Sequence, residues 1–109
     1  MIGIIFEFAT ETIEVRVDSN NVLFRTKEFG SQFGTIDNLK LDYNGVCKEF
    51  PELKDNKEWK KEAINRFKIK IKSLGNEKEI TKYLIEDLKK FGYIPRYFQQ
   101  KGHRPKKIQ

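Results

Sequence analysis

The sequence predicts an α+β fold, and three observations predict it. Apolar residues alternate with polar ones before Glu28, and after Asn56 they recur at helical spacing. A turn signature, Asp-Ser-Asn-Asn at 18 to 21, interrupts the alternating part, and a Gly-Asn step at 75 and 76 interrupts the helical part. Neither an isolated sheet nor an isolated helix can hide its apolar side, so the two halves are expected to pack on each other. The expected architecture is an N-terminal antiparallel sheet of three strands, or four, against a C-terminal antiparallel helical pair, with a basic C-terminal tail.

The first strand is read in "GIIFEF", where Ile4, Phe6 and Phe8 alternate with residues of the opposite face. This stretch has no basic leader and runs into Glu7 and Glu11, which argues for a strand rather than a signal peptide. Ile13, Val15 and Val17 alternate against Glu14 and Arg16 in the second strand. Asp18 to Asn21 then makes the hairpin turn to a third, because Asp and Asn bond their own backbone and Asn tolerates positive φ. The connection around "FATET" is the weaker turn signal. "FGSQFG", residues 29 to 34, reads as a loop; it matches neither phosphate-binding glycine pattern, and no Lys follows Gly34.

Residues 35 to 53 admit two readings. Leu39 and Leu41 alternate with charge as in a short fourth strand, whereas Asp42 can cap a helix from Tyr43 to Phe50 that Pro51 stops. The helix is the preferred reading, with Gly45 as its weak point, since Gly in a helix interior costs roughly 1 kcal/mol. Between 56 and 74 two periods compete. "FKIKIK" at 67 to 72 alternates like a strand, but Trp59, Ala63, Ile64, Phe67, Ile71 and Leu74 form one helical stripe that leaves only Ile69 outside it. A helix from about Asn56 to Leu74, closed by Gly75, explains more of the apolar positions, and it predicts a buried Trp59. Asn76 with Glu79 three residues on has the look of a capping box, followed by Ile80, Leu84, Leu88 and Phe91 on one side, with Gly92 as the stop.

Charge is unevenly placed. Of the 109 residues, the first 87 carry 15 Lys or Arg against all 16 acids, while the last 22 carry seven basic residues and no acid. Residues 1–100 are read as one domain and 101–109 as a basic, mobile tail, because Gly102 and Pro105 discourage a helix and the tail has no apolar period. With one cysteine and no apolar run of about 20 residues, the chain reads as cytoplasmic, without a membrane segment.

Catalytic chemistry has few candidates. Cys47 and His103 are the only Cys and His, too few for a zinc site, and Cys47 is expected to be a buried structural thiol. Glu14-Val15-Arg16 and Glu58-Trp59-Lys60 resemble a fragment of metal-dependent nuclease sites. With 22 basic residues in 109, about one such triplet in five arises by chance, so these matches carry almost no weight for a metal-dependent nuclease. The reading is non-enzymatic, with no cofactor and no metal. Arg16 and Arg25 near Phe6, Phe8 and Phe24 invite comparison with sheets that stack bases, yet those aromatics fall on the core phase.

The C-terminal end carries the functional expectation. Lys89, Lys90, Arg96, Lys101, Arg104, Lys106 and Lys107 would neutralise phosphates, and Tyr93 and Tyr97, with Phe98, are stacking or packing groups among them. The partner expected is nucleic acid, DNA and RNA not distinguished. The alternative is a protein-interaction module that docks an acidic partner through the same tail or through an exposed sheet edge such as "GIIFEF".

Overall fold

The computed structural model of the chain describes residues 1–26, 32–100 and 106–107. The alternating half forms three antiparallel strands, β1 (Ile2–Phe8), β2 (Glu11–Asp18) and β3 (Asn21–Thr26). Ile4 is paired with Val15 and Val15 with Phe24, so the apolar phase of all three strands lies on one face, where these residues are buried. Both connections are tight. Ala9 and Ser19 open them at φ 56 and 54, so the "FATET" turn is as compact as the one after Asp18.

Among the described residues the sheet has six strands, not the three or four expected. The fourth, β4, is Gly34–Thr35 beside β3 rather than a strand at Leu39 and Leu41; Leu39 is buried just after a 3-10 turn at Ile36–Asn38. The other two come from the C-terminal end: β5 (Tyr93–Gln100) pairs along the whole second edge of β1, and β6 (Lys106–Lys107) pairs with β5. The order is β4-β3-β2-β1-β5-β6. β1 is therefore a central strand, and its edge is closed to a partner, contrary to the alternative expectation. The physical reason is hydrogen-bond demand. An apolar strand with one bare edge leaves a row of unpaired N–H and C=O groups, and Tyr93–Gln100 satisfies them. Pro95 is compatible with this because the register shifts between Ile5 and Phe6 and no described strand pairs with β5 at Pro95 on its other side.

Three helices cover the apolar face. α1 (Tyr43–Glu49) begins as expected at Asp42, whose carboxylate accepts from the Gly45 amide at 2.9 Å. α2 (Trp59–Leu74) ends at Gly75, in the left-handed region at φ 74. Its first turn starts at Trp59 rather than Asn56, since the Asn56 side chain accepts the Glu58 amide and stops the helix extending back. The competition of periods at 67 to 72 resolves as a helix: Ile71 is buried whereas Ile69 is 69 % exposed. α3 (Glu77–Asp87) is capped by the Asn76 side chain, which accepts from Glu79 N at 2.9 Å, and runs into a 3-10 turn at Leu88–Phe91 that Gly92 ends at φ 105.

Ile80, Leu84, Leu88 and Phe91 are buried against the sheet, each worth about 1.5–3 kcal/mol of transfer from water. Phe67 of α2 meets the rings of Tyr83 and Phe91 at 5.3 and 6.0 Å, which ties the helices to one another. Trp59 is only half-buried, its ring edge against Tyr43 at 5.2 Å, because it sits on the outermost turn of α2. Cys47 is half-buried too, not enclosed. Of the tail expected to be mobile, 101–105 and 108–109 lie outside the described residues, while Lys106 and Lys107 take their place in the sheet. No helix among the described residues is long and apolar enough to cross a membrane.

Candidate nucleic-acid interface

The helices cover one face of the sheet, so the polar phase of every strand points to the other, open side. Strand pairing decides what stands together there. Ile5 of β1 is opposite Tyr97, Glu7 is opposite Ile94, and Tyr97 is opposite Lys107. The register shift in β5 leaves Arg96 as the extra residue, and its guanidinium reaches Glu7 at 3.3 Å. Tyr97 is 45 % exposed; Lys106 and Lys107 are both exposed. At this edge the Tyr97 ring is thus flanked on the open face by two cations, Arg96 and Lys107, of which only Arg96 has an acidic partner among the described residues, whereas Lys106, opposite Phe98, lies on the other phase of the strand.

The remaining expected site residues are divided. Tyr93 is 2 % exposed, its ring against Phe6 and Phe8 at 5.7 and 4.6 Å; it packs and has no face to offer a base. Burial drives its phenol well above the ordinary tyrosine range. Lys89 and Lys90 lie in the 3-10 turn before β5, about 13 Å of strand from Tyr97. Lys89 is exposed, whereas Lys90 is held between Glu49 at 3.4 Å and Asp87 at 3.7 Å, which raises its pKa. Lys101 and Arg104 lie outside the described residues, as does His103. Phe98, opposite Ile4, packs against the core.

Two charged features escaped the sequence reading. On the open face, the guanidinium carbons of Arg16 and Arg25 stand 4.3 and 4.4 Å from the centroid of the Phe33 ring. Glu14 accepts from Arg25 Nη2 at 2.6 Å and lies 3.5 Å from Arg16 Nε. The open face therefore does hold an aromatic ring beside its arginines, but it comes from the loop before β4 and not from Phe6 or Phe24, which are buried as the alternation implied. The second feature is α2. Between 57 and 72 there are seven Lys or Arg against two Glu, a local surplus hidden when the first 87 residues are taken together. A windowed charge count would have found it.

The two nuclease-like triplets lie on different elements. Glu14-Val15-Arg16 lies on β2 with its carboxylate engaged by arginines, and Glu58-Trp59-Lys60 lies at the start of α2. No three His, Cys, Asp or Glu among the described residues are grouped so as to hold a metal ion.

The fold and this site define an α+β protein with helices on one face of an antiparallel sheet and a basic, partly aromatic edge on the other. Compared with protein-family models, with curated proteins and with solved structures, the chain matches none.

Proposed function

We propose that this is a small non-enzymatic nucleic-acid-binding protein that grips the phosphate backbone with the basic C-terminal edge of its sheet. One observation carries the reading: Tyr97 stands half-exposed on the open face with Lys107 directly across from it and Arg96 before it. A ring offers any base a stacking surface, and neighbouring cations neutralise phosphates with release of counterions. Contacts of this kind position a nucleic acid without reading its sequence. An open sheet face favours a single strand, whose bases are free to turn towards it.

The test is a titration of labelled single-stranded and duplex oligonucleotides at two salt concentrations, with the intact chain and with Arg96→Ser, Tyr97→Ala and the pair Lys106→Ser, Lys107→Ser. Each lost phosphate contact is expected to lower the log-log salt slope by about 0.7 on a single strand. Tyr97→Ala is expected to weaken binding with the slope unchanged, because stacking releases no counterion. If the intact chain fails to bind any of the oligonucleotides, the reading is wrong.

A further inference from the structure

α2 carries a second surface, remote in sequence from the C-terminal edge. At 100° per residue, Lys61, Lys68 and Lys72 fall within about 40° of one another, beside the apolar stripe that faces the core. They line a continuous trough between α2 and the β3–β4 edge, made of two grooves of about 590 and 580 Å3 that share Asp37, Asn65 and Lys68. Its larger part has aliphatic walls: Ile36 and Ile71 are buried there, and Ile69 stands 69 % exposed. An isoleucine this bare, on a helix whose other apolar residues are buried or half-buried, has no role in the core. Lys68 is bound to Asp37, and the ammonium holds that carboxyl below its usual range. Lys61 and Lys72 have no acidic partner among the described residues.

We infer that this trough is a docking site for an acidic polypeptide segment that carries an aliphatic side chain between its carboxylates. Charge complementarity supplies the first half of the match: the lysines extend over about 16 Å of helix from 61 to 72, the length of roughly five extended residues. The aliphatic walls supply the second. A phosphate backbone could meet the lysines, but it has nothing apolar to set against Ile69. A peptide can place a leucine on Ile69 and carboxylates on Lys61 and Lys72 together, and an acidic group is also positioned to take Lys68 from Asp37. This site is separate from the sheet edge and does not depend on nucleic-acid binding there.

The experiment follows backbone amide signals of the isotopically labelled full chain during titration with three probes: a short synthetic peptide of two leucines flanked by glutamates, an oligoglutamate of the same length, and a short DNA duplex. The leucine-containing peptide is expected to move the signals of Lys68, Ile69 and Lys72 and to bind more tightly than oligoglutamate. Ile69→Ser and Lys72→Glu, both at exposed positions, are each expected to weaken it about tenfold. Arg96→Ser is expected to leave it unchanged, which separates this site from the one on the sheet. The inference is overturned if no shifts appear at α2, if oligoglutamate binds as well as the leucine peptide, or if the duplex is the stronger ligand at these residues.

Discussion

Gly45 of α1 lies so close to Lys90 that a β-carbon added to it would stand 2.1 Å from the Lys90 carbonyl oxygen and 3.1 Å from its carbonyl carbon. The glycine that weakens α1 by propensity is what lets the helix reach the 3-10 turn before β5. In the same joint, the Asp42 amide donates to the Phe91 carbonyl at 3.0 Å, and Lys90 pairs with Glu49.

Gly45→Ala is therefore expected to destabilise the protein by about 2 kcal/mol, although helix propensity alone would favour Ala by roughly 1 kcal/mol. Backbone, not a flexible side chain, is in the way, so α1 has to move. Denaturant unfolding decides the sign. A stabilised variant would mean that α1 does not approach Lys90 this closely.

Ala9 opens the β1–β2 turn in the left-handed region at φ 56. An L-residue there costs roughly 1–2 kcal/mol that glycine does not. Ala9→Gly is expected to raise stability by up to about 1 kcal/mol, after the extra entropy that glycine loses on folding. Thermal unfolding of this variant beside Thr10→Gly, whose residue has no positive φ, checks that the gain belongs to position 9.

Thr81 is buried in α3, and its hydroxyl has no hydrogen-bond partner among the described residues. Leaving such a group dry and unpaired costs about 1–3 kcal/mol, and valine has nearly the same shape. Thr81→Val is expected to stabilise by about 1 kcal/mol, whereas Thr81→Ala loses the methyl and leaves a void. Calorimetry on the two variants separates the polar effect from the packing effect.

Burial raises the phenols of Tyr83 and Tyr93 well above the ordinary value of 10.0; Asp87 adds to the effect at Tyr83. The folded state thus holds these protons more tightly than the unfolded chain. Their contribution is fully present below pH 10 and is lost as pH rises above it, so stability falls on the alkaline side. Unfolding free energies measured at neutral pH and just above pH 10 should show the decline, and it should shrink in Tyr83→Phe. The tyrosinate absorbance of these two residues is expected to rise only together with unfolding.

The elements that rest on local patterns were readable in the sequence. Alternation placed β1, β2 and β3, Asp42 and Asn76 marked the starts of α1 and α3, and Gly75 and Gly92 marked ends, because capping and periodicity depend on neighbours within a turn or two. The competition at 67 to 72 was also settled by pattern, since six apolar positions on a helical stripe outweigh a short alternation. Trp59 went the other way: its place on the stripe could not show that the first turn of α2 overhangs the core.

What only the tertiary structure decided is the sheet beyond β3. "YIPRYFQQ" contains a proline and no clean alternation, and it becomes a strand because β1, far away in sequence, has an edge to satisfy. That pairing sets the fate of each C-terminal aromatic: the register that puts Tyr93 opposite Phe8 buries it, and the shift beside Phe6 turns Tyr97 out to the open face. By itself the sequence determined where charge and apolar periods lie along the chain. Which of those charges share a surface was decided by hydrogen-bonded pairing between segments some ninety residues apart, and local composition holds no record of it.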